Sequence, residues 1–426
     1  MKILLKNAKI LKNPFSPVIS GEVHIENGKI VHVGEEKPFV ADVIKDCNGN
    51  LLMSGFANTH AHSAMTLFRG VADDLPLQTW LFDRIFPLED HLTQEDIYWG
   101  TMLAVAEYAR GGVTAVADMY FYDDTIVKAF ENSKIALALC SGKNDLGGNT
   151  QGALDYMEQA YLKYKNKDRL KYIIGLHAEY TCSDKLIEGT ADLANKYDSP
   201  TYIHLAETLK EVGDCSVKRK LTPAEYLHKV GFFDNGGIVA HGVYLDKDDI
   251  FVLRDKNVTV ASCPSSNLKL ASGVAPVYSL LENGVSVALG TDGAASNNKL
   301  SMFQETYLLS CLQKERMKDA SAVSAETALS CATVNGYQAM GFNGGKIEVG
   351  YDADIVMLDM SSPCMHPENN VKKSVVFSGD CSLVLMTIAG GKIIYDNGTF
   401  NIGETLPEIY KNAERCIKRL LEKAGF

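Results

Sequence analysis

Eight short apolar runs, separated by longer amphipathic segments, occupy the middle of this 426-residue chain. The runs read LLMSGFANTHAH, GVTAVADMY, IALALCSG, YIIGLHAEYT, TYIHLAET, GGIVAHGVYL, VTVASCPSSN and VSVALGTDGAAS. Segments such as YWGTMLAVAEYARGG and ALDYMEQAYLKYK place apolar residues at helical spacing between most of them. Apolar strands that alternate with helices are typical of a parallel sheet that is covered on both faces. Eight such units over roughly 290 residues predict an α/β fold, a (β/α)8 TIM-like barrel.

Both ends of the chain follow a hairpin pattern instead. GEVHIENGKIVHVGE places Asn27-Gly28 between two alternating apolar runs, and LVLMTIAGGKIIYDNGTF does the same with Asn397-Gly398. Asn-Gly between such runs predicts a tight β-hairpin. Because the two ends share this pattern and the centre does not, we expect one small β-sandwich domain built from both ends.

These patterns divide the chain into three parts. Residues 1–53 and 346–402 are expected to form the composite β-sandwich domain, and residues 54–345 are expected to form the barrel. The last segment, residues 403–426, predicts a C-terminal helix that packs on the surface of another domain. Its apolar residues lie on one helical stripe: Ile409, Ala413, Cys416, Ile417, Leu420 and Leu421.

Side chains that can bind a metal or transfer a proton are concentrated at the ends of the predicted strands. They are His60, His62, His177, His204, His241 and Asp292. In a barrel of this type, the carboxyl ends of the strands form the active-site face. Because residues two apart on a strand point to the same side, His60 and His62 can bind one cation together. A lone H-x-H is a weak signal, but together with the later strand ends it predicts a metal site.

Charge and cysteine usage limit the classes of partner. A formal net charge of -11 argues against nucleic acid or an anionic membrane, since both attract a basic surface. The N-terminus lacks the apolar core of a signal peptide, and no stretch reaches the roughly 20 apolar residues that span a bilayer. The 10 cysteines are scattered without a C-x-x-C. We therefore expect reduced thiols and a cytoplasmic protein, and symmetric oligomers are common enough to suggest a homodimer or homotetramer.

Several motifs together resemble the amidohydrolase superfamily. They are GFANTHAHSAMTLFRGVADDLPLQTWL, IHLAET, IVAHGVYL, NLKLASGVAPV, LGTDGAASNN and GKIEVGYDADIVMLD. Within that superfamily they are similar to the ATZ/TRZ-type branch, which includes methylthioadenosine/S-adenosylhomocysteine deaminases. The resemblance covers nearly the whole chain. It implies a hydrolase that deaminates an adenosine-type nucleoside, a small-molecule substrate, to the inosine analogue and ammonia.

The resemblance also implies a metal site and catalytic residues. One divalent cation per subunit, zinc before iron(II), would be bound by His60, His62, His204 and Asp292. Glu207 would protonate the ring nitrogen beside the attacked carbon, His241 would orient the water, and Asp292 would take the proton of that water.

The number of metals follows from the end of the fourth strand. Dinuclear relatives place a bridging lysine or glutamate there, whereas this strand reads IIGLHAEYT and has no lysine. We therefore expect a single cation. Glu179, two residues after His177, leaves a role for a carboxylate open.

Substrate contacts are likewise implied by the resemblance. Trp80 would pack against the substrate, Glu89 would bind the ribose hydroxyls and His177 would contact the nucleoside, together with Glu207 and Asp292. After the third strand, homocysteine-preferring relatives carry arginines that bind the substrate carboxylate. This chain reads CSGKNDLGGNTQGALDYM there, with Lys143 as its only cation. A neutral 5′ group, as in methylthioadenosine, 5′-deoxyadenosine or adenosine, is then at least as well supported as S-adenosylhomocysteine, and a role for Lys143 stays open.

Two alternatives remain at this point. The chain can be another amidohydrolase, such as a guanine, 8-oxopurine or cytosine deaminase or a triazine hydrolase. It can also be a non-catalytic amidohydrolase-like assembly protein. The second alternative is disfavoured because all four ligand candidates, Glu207 and His241 are present.

Overall fold

The computed structural model describes residues 1–165 and 167–426 of the chain. The β-strands of this part are, in chain order, β1 (Lys2–Leu11), β2 (Val18–Glu26), β3 (Lys29–Gly34), β4 (Val43–Asp46), β5 (Leu51–Ser54), β6 (Phe56–Ala61), β7 (Val113–Met119), β8 (Ala136–Cys140), β9 (Leu170–Tyr172), β10 (Ile174–Ala178), β11 (Thr201–Leu205), β12 (Gly237–His241), β13 (Val258–Ser262), β14 (Val287–Leu289), β15 (Ile355–Leu358), β16 (Val384–Ala389), β17 (Lys392–Asp396) and β18 (Thr399–Phe400).

The α-helices are α1 (Leu77–Trp80), α2 (Phe86–Glu89), α3 (Gln94–Arg110), α4 (Asp123–Glu131), α5 (Thr150–Tyr164), α6 (Asp184–Lys196), α7 (Leu209–Arg219), α8 (Pro223–Lys229), α9 (Lys247–Asp255), α10 (Pro264–Lys269), α11 (Val277–Glu282), α12 (Ala294–Asn297), α13 (Met302–Met317), α14 (Ala325–Ala332), α15 (Val334–Ala339), α16 (Val371–Phe377) and α17 (Leu406–Ala424). Most of the longer helices between β6 and β14 follow a strand, as the alternating pattern predicts.

Strands from both ends of the chain pair into one nine-stranded sheet. Its order is β18-β17-β16-β15-β5-β1-β2-β3, with β4 beside β1. The two ends meet where β15 pairs antiparallel with β5. The β-rich segments at the two ends of the chain therefore belong to one sheet. We call this sheet the end sheet.

Both predicted Asn-Gly hairpins are present in the end sheet. Asn27 and Gly28 lie between β2 and β3 with φ of 50° and 80°. Asn397 and Gly398 lie between β17 and β18 with φ of 45° and 89°. Positive φ at both central residues is the geometry that favours Asn-Gly in a two-residue turn.

The centre of the chain forms two parallel sheets, β6-β7-β8-β9 and β10-β11-β12-β13-β14. Each of the eight apolar runs contains a strand of these sheets. The first run is divided, because Leu51–Ser54 belongs to the end sheet and only Phe56–Ala61 belongs to a parallel sheet. β9 is a short extra strand that the pattern did not separate from β10.

Backbone hydrogen bonds join the two parallel sheets near their carboxyl ends. The N–H of Asp292 donates to the carbonyl of His60 at 3.0 Å, and the N–H of His177 donates to the carbonyl of Lys143 at 2.9 Å. The first bond connects the chain just after β14 to β6, and the second connects β10 to the segment after β8. Residues from distant parts of the sequence are thereby held at one edge.

Small side chains line one hydrophobic cluster of the parallel sheets. Seven of its buried members are alanines: Ala57, Ala115, Ala117, Ala136, Ala138, Ala240 and Ala261. The cluster also contains the fully buried rings of Tyr202 and Tyr337. Because close packing tolerates few voids, the alanines leave the volume that these two large rings fill.

The C-terminal helix α17 packs against α3, in agreement with its apolar stripe. Ile409, Ala413, Cys416 and Leu420 are buried, while Ile417 and Leu421 are half-buried. Arg419 of α17 forms an ion pair with the buried carboxylate of Asp96 at the start of α3. The helix is therefore held by both apolar contacts and a charge pair.

Two further findings bear on the composition. All ten cysteines are free, and seven of them are buried. Among the described residues, no helix combines the length and apolar character needed to cross a membrane.

A buried ion pair connects the end sheet to the parallel sheets. Arg169, just before β9, donates from Nη2 to Oδ1 of Asp354 at 2.7 Å, and the two side chains are 11% and 1% exposed. The same oxygen accepts the N–H of Gly390 at 2.8 Å, and Arg169 Nε donates to the carbonyl of Lys134 at 2.6 Å. Each partner is thus bonded on several sides.

We expect Arg169→Met to lower the free energy of unfolding by about 3–5 kcal/mol, because Asp354 would keep a buried charge without its partner. Lys210→Met is the matched control, since Lys210 pairs with Asp214 on the surface, where both side chains are more than half exposed. Such a pair contributes about 0–1 kcal/mol. Thermal and urea unfolding measure both changes, and equal losses in the two variants would contradict this account.

Candidate active site

Five side chains converge where the carboxyl ends of the parallel strands meet. His60 lies in β6, His62 follows it, His204 lies in β11, His241 ends β12 and Asp292 follows β14. Oδ1 of Asp292 lies 3.4 Å from Nε2 of His60 and 3.2 Å from Nε2 of His62. Nε2 of His62 lies 3.3 Å from Nε2 of His204. The structure therefore brings together the four predicted metal ligands.

Each of the three predicted histidine ligands is oriented by a bond to its Nδ1. The carbonyl of Met119 lies 2.5 Å from Nδ1 of His62, and the carbonyl of His177 lies 2.6 Å from Nδ1 of His204. A carbonyl only accepts, so both Nδ1 atoms carry hydrogen, and in the neutral imidazole each Nε2 atom carries the lone pair. This pattern is typical of metal-binding histidines.

His60 uses a side chain for the same purpose. Its Nδ1 lies 2.5 Å from the hydroxyl of Tyr202, and that hydroxyl donates its own hydrogen to the carbonyl of Thr59 at 3.3 Å. The hydroxyl must then accept from Nδ1–H, which leaves the lone pair of His60 on Nε2. This Nε2 is buried and has no hydrogen-bond partner among the described residues.

Asp292 is held as a carboxylate by several donors. Oδ2 accepts the hydroxyls of Ser266 at 2.6 Å and Ser296 at 2.8 Å, and Oδ1 accepts the N–H of Gly293 at 2.8 Å. Burial alone would raise the pKa of Asp292, but the neighbouring imidazoles of His60 and His62 hold that pKa well below its usual range. The site therefore contains an ionised carboxylate.

That carboxylate sets the charge of its neighbours. Burial lowers the pKa of His62, but the hydrogen bond and the charge of Asp292 outweigh burial and bring the pKa to about 9. For His60 burial dominates and lowers the pKa to about 3. Negative charge at Asp292 thus favours a positive charge at the point between these rings.

The donor set fits a divalent cation. Zinc binds imidazole nitrogen and carboxylate oxygen at about 2.0–2.2 Å, so two donors of a tetrahedral site lie about 3.3 Å apart. The measured separations of 3.2, 3.3 and 3.4 Å agree with that value. The Nε2 of His60, which has no hydrogen-bond partner among the described residues, also indicates a cation, because buried polar atoms normally have a partner.

His241 belongs to the same cluster but is oriented differently. Its Nδ1 lies 2.9 Å from Oδ1 of Asn267, and one of its ring nitrogens lies within 4.8 Å of those of His60 and His204. Its backbone has φ of 72°, and Asp292 has φ of 60°. Such conformations cost energy and are concentrated at functional sites, where they aim a side chain that ordinary strand geometry would not.

Glu207 faces the cluster from the loop after β11. Its Oε2 lies 3.9 Å from Nε2 of His241, and its Oε1 accepts a long hydrogen bond of 3.4 Å from the hydroxyl of Ser272. The side chain is buried, and burial raises the pKa of Glu207. A carboxyl group in such surroundings can hold a proton for transfer.

The position of Glu207 depends on Glu211, which sequence reasoning missed. The carboxylate of Glu211 accepts the N–H of Ala206 at 2.7 Å and the N–H of Glu207 at 2.9 Å. Ala206 has φ of 50°, a conformation that these two bonds help to stabilise. Burial raises the pKa of Glu211 to about 7. The signal in the sequence was a second glutamate in HLAETLKE, at the start of α7.

A cavity opens above the cluster. Its walls include the apolar side chains of Met65, Leu77, Phe86 and Phe121, and its floor includes His62, His204, His241 and Asp292. The predicted contact residues Trp80, Glu89, His177 and Glu207 all line it as well. A cavity with apolar walls and a few convergent polar groups is typical of a small-molecule site.

Trp80 and Glu89 come from one continuous helical segment. Leu77–Trp80 and Phe86–Glu89 are α-helical, and Leu81–Ile85 between them is a π-helix. Single π-helical turns within α-helices are rare, and they frequently occur at functional sites. Glu89 accepts the hydroxyl of Tyr120 at 2.6 Å, and burial raises the pKa of Glu89 to about 7.

The structure places His177, Glu179 and Lys143 in three different surroundings. Nδ1 of His177 lies 3.0 Å from the hydroxyl of Thr181, and its ring packs on His204. Glu179 accepts Nε of Arg219 at 2.7 Å and both side chains are buried, so Glu179 is part of an ion pair rather than a bridging ligand. Lys143 lines a second cavity, which shares Phe86, Glu89, Phe121 and Asn144 with the first.

Comparison with known proteins assigns the chain to one family. Residues 51–394 match the model of the amidohydrolase family. The chain belongs to this family. The predicted resemblance is therefore confirmed, and the mixed α/β structure with parallel sheets is an amidohydrolase fold.

Three relatives illustrate the similarity. The 5-methylthioadenosine/S-adenosylhomocysteine deaminase of Thermococcus onnurineus (strain NA1) is 40% identical over 398 residues, which cover 92% of this chain and 94% of that protein. The 5'-deoxyadenosine deaminase of Methanothermobacter thermautotrophicus (strain ATCC 29096 / DSM 1053 / JCM 10044 / NBRC 100330 / Delta H) is 41% identical over 389 residues, with coverages of 90% and 91%. A crystal structure of an adenosine deaminase from Xanthomonas campestris with bound zinc has a TM-score of 0.94 and 31% identity, with coverages of 99% and 98%.

We expect Tyr202→Phe to weaken zinc binding about 10- to 100-fold, because His60 loses the acceptor that orients its ring. Tyr226→Phe is the matched control, since the hydroxyl of Tyr226 is buried without a hydrogen-bond partner among the described residues. Competition with a chromophoric chelator measures the dissociation constants. Equal affinities of Tyr202→Phe and the unaltered protein would show that Tyr202 does not orient the ligand.

Proposed function

We propose that this protein is a metal-dependent hydrolytic deaminase of adenosine-type nucleosides, which releases ammonia and leaves the inosine analogue. One observation carries the proposal: the buried carboxyl group of Glu207 and the cluster around Asp292 line one cavity with apolar walls. The relatives named as deaminases of adenosine derivatives support the same chemistry.

His60, His62, His204 and Asp292 would hold a single divalent cation, with zinc preferred. The donor separations fit a divalent cation, and the zinc of the Xanthomonas deaminase supports zinc over iron(II). A bound divalent cation lowers the pKa of a water molecule from near 16 to about 7, which supplies the nucleophile at neutral pH.

The protein side chains move the protons. Water adds to C6 of the purine, and its first proton passes to Asp292 while Glu207 gives its own proton to N1. His241, fixed by Asn267, orients the water by a hydrogen bond. The amino group takes the proton from Asp292 and leaves as ammonia. The C6 hydroxyl returns its proton to Glu207, which restores both carboxyl groups and leaves the inosine ring. Positioned acid–base groups of this kind typically contribute about 10²–10⁴-fold to rate.

The remaining contacts orient the nucleoside. The aromatic face of Trp80 packs on the substrate, Glu89 accepts hydrogen bonds from the ribose hydroxyls, and His177 also contacts the nucleoside. The placement of all three around one cavity supports these roles. A carboxylate suits a diol because its two oxygens accept two hydrogen bonds.

We further propose that a neutral 5′ group is preferred over the amino acid of S-adenosylhomocysteine. The ammonium of Lys143 lies 3.6 Å from the centre of the Tyr156 ring. The negative charge of Asp123 lies nearby and attracts the ammonium. Phe121 and Leu146 supply apolar surface in the same second cavity. A cation that is already engaged offers little additional attraction to a substrate carboxylate.

Several broader features are proposed together with the function. We infer that the two parallel sheets close into one eight-unit barrel of residues 54–345, and that residues 1–53 and 346–402 form a separate β-sandwich domain. The hydrogen bonds that join the two sheets near their carboxyl ends support the closure. A homodimer or homotetramer in the cytoplasm remains a prediction.

We expect Glu207→Gln to abolish turnover, with a loss of at least about 10²-fold in kcat, because the amide is not an acid and cannot transfer a proton to N1. Bound zinc should be unchanged, since Glu207 is not among the proposed ligands. Ammonia release and metal analysis measure the two quantities. Glu188→Gln, at a surface position of α6, serves as the control for a lost carboxylate. Activity retained in Glu207→Gln would exclude the assigned role.

A substrate panel tests the predicted preference. Adenosine, methylthioadenosine and 5′-deoxyadenosine should have higher kcat/KM than S-adenosylhomocysteine, because the zwitterionic end of the last would have to displace Lys143 from Tyr156. Steady-state ammonia release measures all four. A strong preference for S-adenosylhomocysteine would overturn the argument on Lys143, and activity on free bases alone would overturn the nucleoside assignment.

A further inference from the structure

A second cluster of metal-binding side chains lies in the end sheet, away from the active site. Glu22 and His24 belong to β2, and His32 belongs to β3. His24 and His32 are direct cross-strand partners, and Glu22 lies two residues before His24 on the same face. One donor atom from each side chain lies within 4.8 Å of the other two. Neither the family assignment nor the proposed reaction uses these residues.

A hydrogen bond at the edge of the cluster fixes the tautomer of His32. Nε2 of His32 lies 2.7 Å from the carbonyl of Glu35, which accepts and so fixes the hydrogen on Nε2. The lone pair of His32 is then on Nδ1. This is the arrangement of His62 and His204 in the active site, with the two nitrogens exchanged.

The carboxylate of the cluster is buried and supported. Oε1 of Glu22 lies 2.5 Å from Nε2 of His24 and accepts the N–H of Lys37 at 2.8 Å. Glu22 is 4% exposed and His24 is 3% exposed. The ring of Phe39 stacks on His24 with 4.3 Å between centres and covers this side. A buried carboxylate is costly unless a positive charge compensates it, and a bound cation is one such charge.

We propose that Glu22, His24 and His32 bind a second divalent cation of the zinc class. Two imidazoles and one carboxylate are a ligand set that zinc accepts, with the fourth position left for water. Zinc would hold the donors about 3.3 Å apart. Binding therefore requires side-chain shifts of the order of 1 Å, and the cation would replace the direct contact of 2.5 Å between Glu22 and His24. The cation would connect β2, β3 and, through Glu35 and Lys37, the segment after β3. Its role would therefore be structural.

Zinc stoichiometry tests the site on the full-length holoenzyme. Equilibrium dialysis against buffered Zn²⁺ should give two equivalents for the unaltered protein and one for His24→Ala and for His32→Ala. Deaminase activity should be the same in all three, because the active-site equivalent is retained. His228→Ala, an exposed histidine of α8, is the control and should keep two equivalents. Equal stoichiometry in the unaltered protein and both variants would overturn the proposal.

A second measurement covers variants that fold poorly. His32 is only partly buried, so His32→Gln should be tolerated when His24→Ala is not. Excess Zn²⁺, added to protein that already holds the active-site equivalent, should raise the Tm of the unaltered protein and leave the Tm of His32→Gln unchanged. No Tm increase in the unaltered protein, or the same increase in both, would also overturn the proposal.

Discussion

Asp292 brings an ionised carboxylate to the point where the two parallel sheets meet, and the surrounding structure is arranged around that charge. Two serine hydroxyls and one backbone N–H bind its oxygens. Two imidazoles approach the oxygen that faces the cavity. A buried charge without such partners would cost several kcal/mol, so these bonds are a condition for placing it there. The backbone N–H of Asp292 also donates to the carbonyl of His60, which connects the charged residue to β6.

The orientation of the active-site side chains depends on strained backbone conformations, which other groups stabilise. Ala206, His241 and Asp292 all have positive φ, and each lies at or just after a strand end. The carboxylate of Glu211 bonds the loop that contains Ala206, and Asn267 holds the ring of His241. Strain of this kind persists only where the surroundings determine it. The proposed acid–base groups are therefore positioned by residues that do not themselves face the substrate.

The end sheet provides a different kind of support. It joins the first and last parts of the chain, and the Arg169–Asp354 pair connects it to the parallel sheets. Its own polar cluster, Glu22, His24 and His32, lies in the hairpin formed by β2 and β3. The two clusters share donor types but differ in setting, because the active-site cluster opens into a cavity with apolar walls, whereas Glu22 and His24 are buried in the hairpin.

Local patterns in the sequence were sufficient for much of this structure. The spacing of apolar runs predicted the parallel strands, the Asn-Gly pairs predicted both hairpins, and the apolar stripe predicted the C-terminal helix. The rule that strand ends of parallel sheets meet at one edge selected six candidates. They are His60, His62, His177, His204, His241 and Asp292. The resemblance to the amidohydrolase superfamily then named four of the six as metal ligands, whereas the strands, hairpins and helix follow from periodicity and turn chemistry.

Other features were decided only by the tertiary structure. Tyr202 reaches His60 across 142 positions of sequence, and the partner of Arg169 is 185 positions away. The division of the first apolar run between two sheets depended on which strands were available to pair with Leu51–Ser54. Such contacts depend on distances between segments that are remote in sequence, and local propensity carries no information on those distances. The sequence by itself therefore determined the elements and the chemical types at the site, while tertiary packing decided how each side chain is oriented.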